Sequence, residues 1–317
     1  MGDRKLQGYI GKNGGAGRFL YLGSKHTERI QFNINFCVAD EREDYEYHCS
    51  LIPTVDDQMI LEREEYRLKN RKELLIATEG NREASWQNKY VAVDGYRVPS
   101  LADQKWRSYH FHDTSDTAMI KQVQNLNDNV ELAADGRNLA AFLYRLKKTE
   151  GACYERIVQI IQYAAPYFEE FFLRPDPLNE QQIRLEWKNK ESDIPFIAAQ
   201  LSDGTLRFIC LVTLLMQPCS MQPDIILLDE PELGLHPYAI ALLAGLIKKI
   251  GVDRQIIVAT QSAELLNEFE PQDVIVVDGK NNQSTFQRLE KDRLKDWLED
   301  YTLGELWQRN IIGGRPS

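Results

Sequence analysis

The chain has 317 residues, with 38 Lys and Arg against 48 Asp and Glu, and its formal net charge is −10. A hydrophobic content of 43% excludes a globally disordered protein, and the acidic balance disfavours a surface made for non-specific binding of nucleic acid. The longest apolar run, from Ala239 to Ile247, is far shorter than the about 20 residues that a membrane helix needs, so the sequence predicts no integral membrane protein.

The five cysteines are widely spaced and include no Cys-x-x-Cys pair. This spacing argues against a disulfide framework and against a structural zinc site. The first residues contain no apolar segment of the kind found in secretory signals. We therefore expect a protein of the reducing cytoplasm.

The first third of the chain is rich in predicted strands. Apolar and polar residues alternate from Ile30 to Phe36, which is typical of a half-buried strand. Residues 45–52, 59–61 and 89–96 carry further strand segments. These patterns predict a β-rich lobe.

Basic side chains are frequent between Glu62 and Lys72. Five of them stand against three acidic ones, and they are Arg63, Arg67, Lys69, Arg71 and Lys72. We interpret this stretch as the solvated edge of a β-hairpin. Contact with nucleic acid is the alternative, because the whole acidic excess of the chain lies after residue 110.

Helical patterns replace the strands in the middle of the chain. Residues 138–146 are good helix formers, and residues 154–172 repeat apolar side chains at helical spacing, with a kink expected at Pro166. Residues 183–187 then alternate like a strand.

Strands and helices alternate after residue 200. We predict helices over 206–217 and 238–250 and strands over 225–228, 255–259 and 274–277. Apolar strands that alternate with helices indicate a parallel sheet covered on both faces.

The segment that ends the strand at 225–228 carries the strongest chemical signal. Its apolar residues run directly into Asp229 and Glu230. In nucleotide hydrolases the first carboxylate holds Mg²⁺, and the second orients or deprotonates the attacking water. A buried strand that ends in a solvated acidic turn is the alternative.

A helix start precedes this strand at Leu201-Ser202-Asp203-Gly204-Thr205-Leu206-Arg207. Ser202 is a suitable N-cap, and Gly204 lets a phosphate approach the backbone amides at the positive end of the helix. By itself this pattern is explained equally by an ordinary capped helix.

The order of these segments resembles the motifs of ABC-type ATPases. The Leu-Ser-x-Gly helix start matches their signature motif, and Asp229-Glu230 matches the Walker B strand end. Residues 234–237 stand at the D-loop, and the strand at 256–259 leads into Thr260-Gln261-Ser262 at the switch. The chain is similar to the SMC and RecF-like branch, which includes the ATPase domains of OLD-type proteins and several anti-phage defence ATPases.

The resemblance implies an α/β fold of the ABC-type P-loop NTPase kind, with a β-rich N-terminal lobe and a helical insertion. It also implies ATP and Mg²⁺ as cofactors and a head-to-tail homodimer. The roles it implies are metal binding for Asp229, catalysis for Glu230 and Gln261, and nucleotide binding for Ser202, Gly204, Arg207 and His236. The predicted division of the chain is 1–114 (β-rich part), 115–180 (helical insertion), 181–290 (parallel α/β lobe) and 291–317 (helical tail).

The sequence departs from this family at its phosphate-binding loop. No Gly-x-x-x-x-Gly-Lys-Ser/Thr motif is present, and the glycine-rich segment Gly14–Phe19 lacks both the Lys and the hydroxyl. We expect an N-terminal truncation of a longer protein. A natural variant that has lost nucleotide binding is the alternative.

Gln261 is a second departure, because ABC transporters have a His at this position. A glutamine can hydrogen-bond a phosphate or a water, but it cannot take up a proton near neutral pH. The sequence therefore argues against a His-dependent step but not against hydrolysis.

His110 and His112 stand two residues apart beside Asp113. On a strand the two imidazoles would share one face, which raises the question of a metal site. Because the sequence identifies no further ligand, simple packing or hydrogen bonding is the favoured interpretation.

For the complete protein, the resemblance implies an ATP-hydrolysing switch linked to DNA maintenance or anti-phage defence, whereas this chain alone, without a P-loop, should bind ATP poorly. Its expected partners are a second copy of the chain, a nuclease or other effector protein, and DNA, with no membrane. The alternative is a non-hydrolysing interaction module that keeps the ATPase-like fold.

Overall fold

A computed structural model describes residues 6–36, 44–68, 73–83, 90–93, 96–99, 106–280 and 283–314. The chain divides into two compact units, Met1–Gln104 and Lys105–Ser317. The four-part division predicted from the sequence is finer than this and stays a prediction.

The first unit is built mainly of antiparallel strands. Its elements are α1 (Leu6–Lys12), β1 (Ile30–Phe36), β2 (Tyr45–Pro53), β3 (Met59–Leu68), β4 (Glu73–Thr78), β5 (Tyr90–Val93) and β6 (Tyr96–Pro99). The first four strands pair in the order β1-β2-β3-β4, and β5 pairs with β6. Alternate residues of β2 and β3, among them Tyr47, Cys49 and Tyr66, fill the core of this unit. The predicted β-rich character is confirmed.

The basic stretch lies partly on β3, and there the predicted hairpin edge is wrong. β3 pairs with β2 on one side and with β4 on the other, so it is an inner strand. Arg63 and Arg67 both form ion pairs with the buried Glu65, the second at 2.8 Å. Lys69, Arg71 and Lys72 lie outside the described residues. The two described arginines thus share one internal counter-charge.

The second unit contains the remaining strands and helices. The strands are β7 (Trp106–Tyr109), β8 (Gln124–Asn125), β9 (Phe168–Phe171), β10 (Pro175–Asp176), β11 (Asn179–Ile183), β12 (Glu186–Asn189), β13 (Phe196–Ile197), β14 (Ile225–Asp229), β15 (Gln255–Ala259), β16 (Ile275–Lys280) and β17 (Gln283–Arg288). The helices are α2 (Leu139–Thr149), α3 (Gly151–Ala164), α4 (Asp203–Met216), α5 (Pro237–Ile250), α6 (Ala263–Leu266), α7 (Lys291–Leu298) and α8 (Leu303–Gln308).

Three of these strands, β15, β14 and β7, pair in parallel in that order. The register places Leu228 beside Tyr109 and Asp229 beside Ala259. The predicted strands at β14 and β15 and the predicted helices at α4 and α5 are confirmed. The strand β7 was not predicted, because its sequence, Trp-Arg-Ser-Tyr, is too short to show a periodic pattern.

The prediction of a sheet covered on both faces is wrong at β15, because Ile257 on one face of this strand is 49% exposed. The outer edge of β15 is also open, since no strand pairs with it in the part of the chain that the structure describes. The predicted strand at 274–277 is also placed differently, since β16 forms an antiparallel hairpin with β17 rather than joining the parallel sheet.

Helices α2 and α3 share one hydrophobic core with the parallel sheet. Leu143 and Ile157 from these helices lie in the same buried cluster as Leu214 and Ile226. The helix predicted over 154–172 ends at Ala164. A proline at 166 disfavours helical backbone at the residue before it, and the chain then forms β9, whose two phenylalanines are fully buried.

The strand predicted over 183–187 is divided in the structure. β11 ends at Ile183 and pairs with β8 and β10, whereas β12 begins at Glu186 and pairs with β9 and β13. In the described part of the chain, no helix is both long enough and apolar enough to cross a membrane.

Candidate functional site

The site lies at the carboxyl ends of the parallel strands. Asp229 is the last residue of β14, and His110 follows the residue that pairs with Leu228. Thr260 follows Ala259, which pairs with Asp229 on the other side. Ligands of open parallel sheets bind at this end of the strands, so the pairing gathers polar groups where a ligand is expected.

Glu230 leaves β14 through an unusual backbone conformation. Its φ angle is 38°, in the left-handed region, and its amide donates to the Ala259 carbonyl at 2.8 Å. A non-glycine residue in this region is strained by about 1–3 kcal/mol, and such strain collects at functional sites. Asp229 and Glu230 line one shallow pocket together with Arg207 and His112.

Glu232 is a buried carboxyl two residues further on. The Thr260 hydroxyl donates to its Oε1 at 2.5 Å, while Oε2 has no hydrogen-bond partner. Burial is the main cause that raises the pKa of Glu232, and the negative charges of Glu230 and Asp229 act in the same direction. This contact links the turn after β14 to the end of β15.

The start of α4 is capped as the sequence predicts. Ser202 is the N-cap, and its Oγ accepts a hydrogen bond from the amide of Thr205 at 3.1 Å. The hydroxyl of Thr205 lies 3.1 Å from the Tyr167 hydroxyl, which holds this first turn from the side. Ser202 itself remains exposed.

Gly204 packs against the turn that follows β14. A Cβ atom at this position would lie 2.1 Å from the carbonyl oxygen of Gly234. Gly234 has a φ of 75°, which favours glycine, and a Cβ there would lie 2.9 Å from Nη1 of Arg207. Sequence reasoning attributed Gly204 to phosphate access, whereas the structure shows a steric reason for it. Its nucleotide-binding role stays a prediction.

Arg207 connects three parts of the site. Its Nη1 donates to the Leu233 carbonyl and its Nη2 to the His112 carbonyl, both at 2.9 Å. Its Nε donates to the Phe111 carbonyl at 3.3 Å. The guanidinium therefore fixes the loop after β7 and the turn after β14 onto α4. The nucleotide contact predicted for Arg207 is untested.

His236 and Gln261 lie at two further helix starts. His236 is the exposed N-cap of α5, and its Nδ1 accepts from the Tyr238 amide at 3.3 Å. Gln261 is exposed and precedes Ser262, the N-cap of α6. Their proposed roles toward nucleotide stay predictions.

His110 and His112 do not lie on a strand. This is contrary to the expectation from the sequence. β7 ends at Tyr109, so His110 and His112 belong to the loop that follows. One ligand atom of each lies within 4.8 Å of the other and of an Asp229 ligand atom. Sequence reasoning missed this third group because Asp229 is far along the chain. An expectation that β7 pairs with β14 would have found it.

The glycine-rich segment near the N-terminus binds a carboxylate of its own unit. The Ala16 amide donates to the Asp57 carbonyl, and the Gly17 amide donates to Asp57 Oδ1, both at 2.9 Å. A Cβ on Gly15 would lie 1.8 Å from Asp57 Oδ2. Because the Ala16 and Gly17 amides already donate hydrogen bonds to Asp57, the segment is not arranged to hold a triphosphate.

Comparison with known proteins identifies the family of this chain. Residues 24–267 match the family model described as "AAA domain, putative AbiEii toxin, Type IV TA system". The chain belongs to this AAA domain family. The matched residues include every site element from β7 to Gln261.

Curated relatives of this AAA domain chain are ATP-binding proteins of transporters. The phosphate import ATP-binding protein PstB of Salinibacter ruber is 25% identical over 39% of this chain and 51% of its own length. The energy-coupling factor transporter ATP-binding protein EcfA2 of Staphylococcus epidermidis is 30% identical over 35% of this chain and 38% of its own length. The chain thus spans about half of these relatives or less.

A solved structure shares the fold. The SmcHead bound to the C-winged helix domain of ScpA aligns with 84% of this chain and 76% of that chain, at a TM-score of 0.53 and 16% identity. The predicted resemblance to ABC-type ATPases is confirmed by the family match and these relatives, and the predicted α/β fold of P-loop NTPase type is confirmed by the fold shared with the SmcHead.

Proposed function

We propose that this AAA domain chain supplies the signature helix, the metal ligand and the water-activating group of an ATP-hydrolysing switch of the SMC- and RecF-like ABC ATPase kind. The observation that carries the proposal is the meeting of Asp229, Glu230 and Thr260 at one edge of the parallel sheet. The capped start of α4 packs directly on the turn that bears these groups, through Gly204 and Gly234. The proposed metal ligand Asp229, the proposed water-activating Glu230 and the start of α4 are thus held in one fixed arrangement.

Asp229 suits the role of Mg²⁺ ligand. Mg²⁺ prefers oxygen donors and is usually held by one or two carboxylates together with phosphate oxygens and water. Asp229 offers an exposed carboxylate on a strand that is paired on both sides, so its backbone position is fixed. When bound, Mg²⁺ neutralises negative charge on the phosphates of ATP.

Glu230 suits the role of the group that activates water. It is half-buried beside Asp229, and its strained backbone is held by the hydrogen bond to Ala259. A carboxylate in this place draws the proton from an attacking water. Gln261, after β15, can orient that water or a phosphate by hydrogen bonding but cannot accept its proton.

The exposed start of α4 suits a contact with ATP on a second copy of the chain. Helix N-termini favour phosphate because the first amides point outward and the helix dipole is positive there. In a head-to-tail homodimer, Ser202 and Gly204 of one protomer contact the γ-phosphate held by the other. Arg207 keeps this helix start in register with the turn after β14, and His236 lies exposed beyond that turn.

The biological setting is proposed from the resemblance and from the family description. That description names a toxin and a Type IV TA system. We propose a cytoplasmic switch in DNA maintenance or anti-phage defence, with a nuclease or other effector as the partner that acts on nucleic acid. A non-hydrolysing interaction module is the second candidate, and the exposed edge strand β15 favours it by offering a surface for association.

The test is ATP hydrolysis by a version of this protein that carries a phosphate-binding loop. We expect Mg²⁺-dependent hydrolysis that falls by about 10²–10⁴-fold in Glu230→Gln. Glu155→Gln, which removes an exposed carboxylate from α3, is the matched control and should keep the wild-type rate. Absence of hydrolysis in the wild-type protein would favour the interaction module instead.

A further inference from the structure

Two imidazoles and one carboxylate meet beside the parallel sheet. One ligand atom from each of His110, His112 and Asp229 lies within 4.8 Å of the other two. Donors bound to one ion at about 2.0–2.2 Å lie at most about 4.3 Å apart. The three groups therefore lie close to the spacing that donors to a common ion require.

The backbone that carries these groups is fixed. The pairing of Leu228 with Tyr109 holds Asp229 next to His110. The His110 amide donates to the Ala134 carbonyl at 2.9 Å, and Arg207 donates to the His112 carbonyl at the same distance. A donor set that is held in place before the ion arrives loses less conformational entropy on binding.

The surroundings of the three groups also suit an ion. Ser108 Oγ lies 2.9 Å from Nε2 of His110 and restrains the orientation of that ring. His110 and Asp229 are exposed and His112 is half-buried, so an ion can enter from solvent. Glu230 lines the same pocket as His112 and Asp229 and adds negative charge.

The chemistry of the donors selects the ion. Two imidazole nitrogens and one carboxylate suit Mn²⁺, Fe²⁺, Co²⁺ and Zn²⁺, whereas Mg²⁺ prefers oxygen ligands alone. We propose that His110, His112 and Asp229 bind a divalent transition-metal ion, with affinity that rises from Mn²⁺ towards Zn²⁺. Three protein ligands leave further coordination positions open to water or to a phosphate oxygen.

This inference rests on the proposed function in one respect, since Asp229 belongs to both sites. If the site binds such an ion in the absence of nucleotide, the protein already holds a metal ion when ATP binds. The two histidines take no part in the proposed hydrolysis of ATP with Mg²⁺. Their replacement therefore separates transition-metal binding from the ATPase proposal.

The experiment is a titration of the nucleotide-free, tag-free protein with Zn²⁺ by calorimetry and with Co²⁺ by visible absorption. We expect one equivalent of either ion to bind, with Co²⁺ bands that show nitrogen ligation. His110→Ala, His112→Ala and Asp229→Asn should each weaken binding by at least about tenfold. His26→Ala removes an exposed histidine from the other unit and should change nothing. Mg²⁺ in hundredfold excess should not displace Co²⁺.

Circular dichroism of each variant establishes that it is folded, and His110→Gln and His112→Gln replace any alanine variant that is not. Unchanged affinity in the folded variants, or displacement of Co²⁺ by equimolar Mg²⁺, overturns the inference. Hydrolysis with Mg²⁺ is measured in parallel, in a version of the protein that carries a phosphate-binding loop. If the protein hydrolyses ATP but does not bind Zn²⁺ or Co²⁺, the metal-site inference is wrong and the proposed function stands. If it binds these ions but does not hydrolyse ATP, the proposed function is wrong and the metal site stands.

Discussion

Gly204, at the start of α4, lies so close to Gly234 that a Cβ atom on it would stand 2.1 Å from the Gly234 carbonyl oxygen. The start of α4 and the turn after β14 are therefore in direct backbone contact. Any change in the position of that turn is transmitted to the start of α4, and the reverse is also true.

Gly204→Ala should push the turn away from α4. We expect a loss of about 1–3 kcal/mol in the free energy of unfolding, because backbone atoms must shift to admit the methyl group. Gly245→Ala is the matched control, since a Cβ at this position in α5 meets nothing within 4 Å. It should instead add about 0.5–1 kcal/mol through helix propensity. Urea unfolding of both variants measures the difference, and equal effects would contradict the close contact.

Glu230→Gln should trap a dimer in a version of this protein that carries a phosphate-binding loop. The substitution keeps size and hydrogen-bonding capacity but removes the charge that draws a proton from water. Uncleaved ATP between two protomers then holds them together. Size-exclusion chromatography should show a shift to dimer with Mg-ATP and none without it. Wild-type turnover in this variant would mean that the carboxylate is structural.

Ser202→Arg should prevent the dimer that forms with Mg-ATP, while each protomer still binds nucleotide. It places bulk and charge at the exposed helix start that approaches the opposing phosphate. It also removes the N-cap, which weakens the helix by about 1 kcal/mol. Ser202→Ala shares the loss of the cap without the bulk and is the control. Dimerisation of Ser202→Arg at the wild-type ATP concentration would contradict the trans contact.

The 317-residue chain by itself should bind Mg-ATP weakly or not at all. The amides and Lys of a P-loop supply most contacts to a triphosphate, and this sequence contains no such motif. The amides of Ala16 and Gly17, in its glycine-rich segment, are bound to Asp57. Calorimetry should show no saturable heat at submillimolar nucleotide. A micromolar dissociation constant would be incompatible with this expectation.

Glu232→Gln should change how stability depends on pH. Burial raises the pKa of Glu232, so its contribution to stability is complete below the ordinary glutamate value of about 4.3 and is lost as the pH rises through the raised pKa. The amide keeps an acceptor for Thr260 and cannot ionise. Unfolding at pH 5 and pH 8 should show the variant gaining stability over wild type as the pH rises. Glu155→Gln is the control for loss of one exposed negative charge, and the same trend there would rule out the burial explanation.

The sequence by itself determined the local elements of the site. The N-cap at Ser202, the apolar strand that ends in Asp229 and the helix after Pro237 all follow from periodicity, capping and backbone restriction within a few residues. The order of these elements also indicated the family, because motif order along the chain does not depend on knowing the fold.

Only the tertiary structure decided which of these elements meet. β7 is too short to be recognised by pattern, yet its pairing with β14 brings His110 and His112 to Asp229. The contact of Gly204 with Gly234 likewise joins segments whose local sequences give no sign of each other. Periodicity and capping act over one or two turns of chain, whereas strand pairing and close backbone packing join distant segments and are set by burial of the whole core.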